Sequence, residues 1–284
     1  MNLECCTALV TGGAVRIGRA ICQALAQRGC NVVVHYWRSR RAAERLAREL
    51  RGLGVRATCV GARLRSQSDC AGLLRRAWQC GGPVNVLINN AAAFHKDRLL
   101  DATETKLRAE LEINTLAPIF LTRLFARRLL ARAAGRTRLD NAPYPVGGSQ
   151  PWILREGAAG PELAGKVVNL LDRRIAALEA GCLPYLLSKK ALADFTRLAA
   201  LELAPWIAVN GVAPGPVLAP AARGAAAKDM AGPVPLQRPV TPQDVAAAVV
   251  YLLEADAITG QIIFVDGGQR LCRTTALAAE GGSR

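Results

Sequence analysis

Tyr185 and Lys189 have the residue types and the spacing for proton transfer. Side chains four residues apart lie on one face of a helix, so the ammonium and the phenol would be neighbours. A nearby positive charge favours the phenolate, and we therefore expect Lys189 to lower the pKa of Tyr185 from about 10. A phenol with a lowered pKa donates and accepts protons near neutral pH. Such pairs also occur by chance on helices, so the surrounding motifs must show whether this pair is catalytic.

Short apolar runs alternate with amphipathic stretches along the 284 residues. The apolar runs predict seven strands, at 6–11, 31–36, 57–61, 84–89, 166–171, 207–212 and 262–265. The amphipathic stretches predict seven helices, at 17–28, 40–53, 68–80, 103–114, 118–134, 185–204 and 242–253. This alternation indicates an α/β fold, a Rossmann-type doubly wound sheet of seven parallel strands with helices on both faces. Tyr185 and Lys189 would then begin the helix that follows the fifth strand.

A glycine-rich turn, TGGAVRIG at 11–18, joins the first predicted strand to the first predicted helix. Glycines such as Gly12 and Gly18 let the backbone approach a ligand closely, and the N-terminus of the helix behind them attracts a pyrophosphate. The turn therefore predicts a dinucleotide cofactor.

The segment after the second strand, residues 35–40, contains no acidic side chain. An acidic residue in this place usually holds the ribose hydroxyls of NAD. Arg38 and Ser39 offer a cation and a hydroxyl instead, and these suit a 2′-phosphate. We expect NADPH/NADP rather than NADH, although the basic first turn of a solvated helix would have the same composition.

The composition narrows the class of protein. The chain is 51% hydrophobic, yet it has no run of about 18 apolar residues, so no membrane partner is expected. The net charge of +15 comes from arginines spread along several predicted helices, and no nucleic-acid partner is expected. Nine cysteines without a CxxC pair, together with only two histidines, indicate a cytoplasmic protein with reduced thiols and no metal site.

One dinucleotide-binding and catalytic domain, residues 1–272, accounts for the whole pattern. Residues 135–165 link a helix end to a strand start, and we interpret them as an insertion loop away from the ligand-binding edge of the sheet. Residues 213–240 follow the carboxyl end of a strand and are expected to form a substrate loop. Residues 273–284 are expected to be a flexible tail.

In their order along the chain, these motifs resemble the short-chain dehydrogenase/reductase family across about residues 5–271. They are TGGAVRIG at 11–18, NNA at 89–91, LEINTLAP at 111–118, YLLSK at 185–189, NGVAPG at 210–215 and VDGG at 265–268.

The resemblance implies roles for the site residues. Tyr185 would be the general acid, Lys189 would bind the nicotinamide ribose and lower the pKa of Tyr185, and Asn114 would help to hold a proton-relay water. A homotetramer assembled through helices 118–134 and 185–204 is also implied. The implied cofactor contacts are Gly12, Arg16, Ile17, Gly18, His35, Tyr36, Arg38, Ser39, Asn90, Ala91, Lys189, Pro214 and Gly215.

Three residues resemble the pteridine reductase branch of that family. Arg16 stands where the family usually has glycine, Asp172 replaces the usual serine 13 residues before the tyrosine, and Phe94 follows NNAAA. This branch implies that Arg16, Phe94, Asp172 and Tyr185 contact a small, pterin-like substrate. A carboxylate suits a nitrogen heterocycle that must be protonated, and we expect Asp172 to relay a proton to Tyr185.

The sequence also departs from the branch, and two other functions stay open. Arg63 replaces an aspartate that often contacts adenine, and Ala92 and Ala93 offer no hydroxyl to a pterin. One alternative is an NADPH-dependent carbonyl reductase, for example of 3-oxoacyl thioesters, although Asp172 in place of serine argues against it. The other is a non-catalytic NADP-binding sensor or scaffold, which would have no use for the proton donor Tyr185.

Overall fold

The computed structural model describes residues 1–133, 163–177, 179–217 and 234–272. Most of the predicted insertion at 135–165, the middle of the predicted substrate loop at 213–240 and the predicted tail at 273–284 lie outside the described residues. No helix in the described ranges is long and apolar enough to cross a bilayer.

Seven parallel strands form one sheet in the order β3-β2-β1-β4-β5-β6-β7. They are β1 (Thr7–Val10), β2 (Asn31–Tyr36), β3 (Ala57–Gly61), β4 (Val86–Asn89), β5 (Gly165–Leu170), β6 (Ile207–Pro214) and β7 (Ile262–Val265). Because β1 and β4 are neighbours, the strand order reverses between them, and a crevice opens at their carboxyl ends. The predicted fold class is confirmed.

Within the described ranges, seven α-helices cover the two faces of this sheet. They are α1 (Arg16–Gln27), α2 (Arg40–Arg51), α3 (Gln67–Gly81), α4 (Glu104–Leu111), α5 (Ala117–Ala133), α6 (Leu183–Leu203) and α7 (Pro242–Glu254). Buried residues of α1, α2 and α7 form one core with Val10 and Val34, whereas those of α3, α5 and α6 form another with Leu9 and Val33. Successive strand residues thus point to opposite cores, and both faces of the sheet are buried.

The chain between β4 and β5 differs from the prediction of two separate helices at 103–114 and 118–134. The two are continuous, because a π-helical turn, Glu112–Leu116, joins α4 to α5. In an α-helix the carbonyl of Asn114 would pair with the amide of residue 118, but Pro118 has no N–H. A π-turn accommodates this missing donor without ending the helix, and such turns are frequent at functional sites.

Candidate active site

The glycine-rich turn lies directly after β1, on one side of the crevice. Gly12 has a φ of 61°, a left-handed conformation that favours glycine. A Cβ on Gly18 would lie 2.4 Å from the Gly12 carbonyl oxygen, so α1 packs against the turn more closely than any side chain would allow. Asn90, just after β4, completes the turn, because its Nδ2 donates to the carbonyls of Thr11 (2.8 Å) and Gly12 (3.1 Å). The amide of Ala91 donates to Thr11 Oγ1 at 3.0 Å.

The N-terminus of α1 faces this turn without a side-chain cap. Ser66 and Thr241 close the first turns of α3 and α7 with capping boxes, whereas Val15 at the start of α1 gives no side-chain hydrogen bond. Uncapped amides at a helix N-terminus bind phosphate. The close-packed turn and the uncapped amides near Ile17 therefore fit a dinucleotide pyrophosphate.

Arg16 begins α1 with a φ of 55°, in a region that costs a non-glycine residue about 1–2 kcal/mol. This explains why glycine suits the position. The strained backbone places the arginine next to the anion-binding turn.

His35 lies beneath the turn and supports it. Its Nδ1 accepts from the amide of Gly12 at 3.1 Å, and its Nε2 contacts the carbonyl of Ala62 at 3.2 Å. Burial lowers the pKa of His35 to about 4, so the ring is neutral and Nε2 carries the hydrogen. Both ring nitrogens thus engage protein atoms, and His35 shapes the cofactor turn from behind.

The end of β2 presents a positive, aromatic surface. Trp37 is half exposed, with the guanidinium of Arg38 at 3.9 Å from its ring centroid and that of Arg63 at 5.4 Å. Tyr36 packs over Gly61, where a Cβ would lie 2.9 Å from its ring, and Ser39 precedes α2. The donor set next to the crevice is cationic, as a 2′-phosphate requires.

On the far side of β4, β5 and α6 bring Asp172 and Tyr185 together. Asp172 follows the carboxyl end of β5, and Tyr185 lies in the first turn of α6. The Tyr185 hydroxyl donates to Asp172 Oδ2 at 3.1 Å, and Tyr185 is only 8% exposed.

Arg174, which the sequence analysis did not single out, holds Asp172 in place. Its guanidinium donates from Nε to Oδ1 and from Nη2 to Oδ2, both at 2.9 Å, and its amide donates to Oδ1 at 2.9 Å. Burial alone raises the pKa of Asp172, but the hydrogen bonds and charge of Arg174 outweigh it, so the net shift is downward. Asp172 is therefore an ionised acceptor in this arrangement, and it holds no proton that it could relay to Tyr185 as the sequence analysis expected.

The expected lowering of the Tyr185 pKa is wrong for this arrangement. Burial and then the Asp172 carboxylate raise the pKa of Tyr185, because a second negative charge beside the phenol is unfavourable. The ammonium of Lys189 lies 5.9 Å from the phenol ring and donates to the carbonyl of Leu170 at 2.7 Å. Burial lowers the pKa of Lys189 itself to about 8. Tyr185 therefore keeps its proton at neutral pH and is a weaker acid in this arrangement than an isolated phenol.

Asn114 lies in the π-turn, fully buried, one helical turn from Glu110. Its Oδ1 accepts from the amide of Ala93, and its Nδ2 lies within hydrogen-bond distance of the Ala93 carbonyl, Ser188 Oγ and Glu110 Oε2. Glu110, also unforeseen, contacts His95 as well, and burial raises its pKa. A carboxylate four residues before Asn114, on the buried side of α4, is the sequence signal that points to it.

Phe94 contacts Tyr185 directly. Its ring meets that of Tyr185 edge-on, with centroids 4.8 Å apart, and 49% of the residue is exposed. An exposed aromatic face beside a buried phenol is suited to a flat ligand.

Pro214 and Gly215 close the same edge of the sheet at the end of β6. Gly215 donates its amide to the carbonyl of Val265 at 2.9 Å, and a Cβ there would lie 3.0 Å from the Asp266 backbone. In the described part of the chain no three His, Cys, Asp or Glu side chains group as a metal site would require.

Comparisons with known proteins agree with this geometry. Residues 6–137 match the family model described as short chain dehydrogenase, and residues 158–270 match the one described as Enoyl-(Acyl carrier protein) reductase. Pteridine reductase 1 of Leishmania tarentolae is 32% identical over 94% of this chain and 96% of its own length. A glucose and ribitol dehydrogenase homolog of Oryza sativa is 30% identical over 92% of this chain and 84% of its own.

A solved structure gives the same result. FolM alternative dihydrofolate reductase 1 from Brucella canis, complexed with NADP, superposes with a TM-score of 0.81 at 32% identity, covering 98% of this chain and 99% of that one. The matched family models together span most of the chain, and relatives above 30% identity align over nearly its whole length. The chain belongs to the short-chain dehydrogenase family of oxidoreductases.

Proposed function

We propose that this protein is an NADPH-dependent pteridine reductase, which reduces a pterin or dihydropterin of the biopterin, monapterin or folate type. The observation that carries the proposal is the contact of Tyr185 with both Asp172 and Phe94. One phenol is thus bonded to a carboxylate and packed against an exposed aromatic ring. A ketone needs neither, whereas a flat nitrogen heterocycle uses both. Relatives named for pteridine and dihydrofolate reduction support the same substrate class.

The residues present suit NADPH. The turn at Gly12 and Gly18 and the uncapped start of α1 would hold the pyrophosphate, and Arg38 with Ser39 would hold the 2′-phosphate. Asn90, Ala91, Pro214 and Gly215 line the same crevice at the carboxyl ends of β4 and β6. When bound, NADPH supplies the hydride.

Protein side chains would supply the proton and the orientation. Phe94 offers its exposed face to the heterocycle, and Arg16 lies at the turn where the heterocycle and the phosphates meet. Tyr185, protonated because burial and Asp172 raise its pKa, donates its hydroxyl proton to a ring nitrogen. Lys189 and Arg174 provide the positive charge that offsets the phenolate which remains.

The direct test is NADPH oxidation with dihydrobiopterin, dihydromonapterin and dihydrofolate, each compared with NADH. Turnover of a pterin with NADPH preferred is the expected result. Turnover of ketones without turnover of any pterin would overturn the proposal.

A carbonyl reductase is the second candidate, and Ala92 and Ala93 favour it because they give a pterin no hydroxyl. D172S separates the two functions. In a pteridine reductase this change should raise ketone reduction, because serine hydrogen-bonds a ketone oxygen, whereas an existing carbonyl reductase should gain little.

A non-catalytic NADP-binding sensor or scaffold is the remaining alternative. Y185F removes the proton donor and keeps the ring. Loss of all turnover in Y185F, with NADPH binding unchanged, would exclude this alternative.

We also infer a homotetramer built on α5 and α6. Leu187, Leu198 and Leu201 of α6 are each about half exposed or more, at 49%, 60% and 59%. Exposed leucines on one helix are typical of a surface that another subunit covers. Sedimentation analysis of the wild type and of L198E/L201E tests this; a wild-type monomer would contradict it.

We place the protein in the cytoplasm, because its buried thiols suit a reducing compartment. Burial raises the pKa of both Cys30 and Cys70 to about 12, so neither forms a reactive thiolate. Fractionation of the native host, with the protein outside the cytoplasmic fraction, would contradict this placement.

A further inference from the structure

Arg174 binds Asp172 more completely than an ion pair requires. A carboxylate has about four acceptor positions, two on each oxygen. Oδ1 of Asp172 accepts from the amide and Nε of Arg174, and Oδ2 accepts from Arg174 Nη2 and from the Tyr185 hydroxyl. All four positions are therefore filled, three of them by Arg174 alone.

Arg174 is itself held in this position. Its guanidinium carbon lies 5.2 Å from the ring centroid of Tyr185 and 5.4 Å from that of Phe94. Its Nη1 donates to Cys182 Sγ at 3.3 Å, and its side chain is 20% exposed against 15% for Asp172. A guanidinium that contacts two aromatic rings and forms a bidentate pair with a carboxylate does not readily change its orientation.

The charges that face Asp172 keep it ionised. Arg174 lies in the 3-10 helix that Asp172 precedes, and Tyr185 and Lys189 approach from α6. Glu110 of α4 acts on Tyr185 and Lys189 and is the other carboxylate of this cluster. The positive charges of Arg174 and Lys189 balance the negative charges of Asp172 and Glu110. Asp172 therefore stays ionised and only accepts hydrogen bonds.

We propose that Arg174 determines substrate specificity by leaving Asp172 a single acceptor position that a substrate can take. When a substrate atom accepts the Tyr185 hydroxyl, Oδ2 of Asp172 loses that bond and is left buried with an unfilled position. Leaving a buried charged acceptor unpaired is costly. A substrate that brings an N–H or amino group refills the position, whereas a ketone does not.

This inference rests on the proposed function and names the substrate feature that the site selects. The phenol oxygen and Oδ2 lie 3.1 Å apart. They therefore match a planar heterocycle edge with an acceptor nitrogen next to an N–H or amino donor. Substrates with an acceptor but no neighbouring donor are rejected, in the way that sites built around hydrogen bonds reject analogues that lack them.

The test compares R174M with R173M. Arg173 lies in the same turn but pairs with Glu179 at 2.6 Å, so R173M removes the same side chain without touching Asp172. For each variant and the wild type, kcat/KM with NADPH is measured for dihydrobiopterin and for the planar ketone phenanthrenequinone. We expect R174M to lower the ratio of dihydrobiopterin to ketone turnover about tenfold or more. R174K keeps the charge but cannot form the bidentate pair with Asp172, so its ratio of dihydrobiopterin to ketone turnover should lie between those of R174M and the wild type.

Equal losses for both substrates in R174M, or an unchanged ratio in both R174M and R174K, would overturn the inference. A binding measurement separates it from the proposed function. Quenching of pterin fluorescence measures the affinity of the NADP⁺-loaded protein for a pterin, and hence recognition of its donor–acceptor edge, without turnover. Tighter pterin binding by the wild type and R173M than by R174M supports the inference even if the wild type turns over no pterin, a result that would end the proposed function alone. Absence of pterin binding by the wild type overturns both.

Discussion

Glu110 and Asn114, one helical turn apart, hold the chain on both sides of Phe94. Asn114 Oδ1 accepts from the amide of Ala93 at 2.9 Å, and Glu110 Oε1 accepts from the amide of His95 at 2.6 Å. The imidazole Nδ1 of His95 contacts the same carboxylate oxygen at 2.7 Å. The half-exposed ring of Phe94 is therefore positioned by two buried polar side chains beneath its backbone as well as by its contact with Tyr185.

The first prediction follows from this arrangement and concerns E110Q. An amide at position 110 cannot accept from His95 and Asn114 at once, because one of its two ends is a donor. The Phe94 segment should loosen, and KM for dihydrobiopterin should rise about tenfold. NADPH affinity should stay unchanged, since within the described residues Glu110 bonds His95 and Asn114 rather than the cofactor turn. Steady-state kinetics and NADPH fluorescence titration measure these two quantities.

E112Q is the matched control for this prediction. Glu112 is half buried two residues further along the same turn. Equal effects of E110Q and E112Q, or a fall in kcat with no change in KM, would contradict the positioning role of Glu110.

Elements dominated by local patterning could be predicted from the sequence. The strands at 31–36, 57–61 and 262–265 have the predicted bounds. Each is a short apolar run, and the turn residues on either side of the run mark its ends. The continuous α4–α5 segment could not be predicted in this way. Pro118 is typical of a helix start. The π-turn that continues the helix past Pro118 packs against α6, which is distant in sequence.

The site residues divide in the same way. Asp172 and Tyr185 were expected to be neighbours because of the resemblance to pteridine reductases, and the end of β5 and the start of α6 bring them together. Arg174 and Glu110 were not foreseen, since an arginine in a short 3-10 helix and a glutamate on an α-helix usually face solvent. Their roles depend on burial, which the sequence does not show, and burial together with the Asp172 carboxylate also reverses the expected direction of the Tyr185 pKa.

The second prediction concerns the strain at Arg16. R16G and R16A both remove the guanidinium, but only glycine relieves the φ of 55°. Both variants should therefore lose a similar factor in affinity for dihydrobiopterin. R16G should be more stable than R16A, by about 1 kcal/mol in the free energy of unfolding. Urea unfolding and kinetics measure the two effects separately. If R16G and R16A unfold at the same urea concentration, the arginine is not strained.

The third prediction concerns the preference for NADPH over NADH. R38A removes the cation that lies 3.9 Å from the Trp37 ring centroid at the end of β2. Its loss should weaken NADPH binding by about 10- to 100-fold and leave NADH binding nearly unchanged, because only NADPH carries the 2′-phosphate. Quenching of tryptophan fluorescence reports both affinities. R41A, an exposed arginine on α2, is the control for the loss of one positive charge. Equal weakening of both cofactors by R38A would show that Arg38 does not read the phosphate.

The last prediction concerns the stability cost of burying Lys189. Burial lowers the pKa of Lys189 from 10.5 to about 8. Between those values the unfolded chain holds a proton that the folded chain has released, so this lysine makes the protein more stable as pH rises through the interval. Below about pH 8 its buried charge costs up to about 3 kcal/mol.

K189M, which fills the same space without a charge, should therefore be more stable than the wild type at neutral pH. Its advantage should shrink as pH rises from about 8 towards 10, even though the variant has lost the ribose contact and its activity. Urea unfolding of both proteins across this range measures the difference, and K190M on the same helix controls for the loss of a lysine. An advantage of K189M that stays constant with pH would mean that Lys189 keeps its proton in the folded protein throughout, held by Asp172 and Glu110 against the cost of burial.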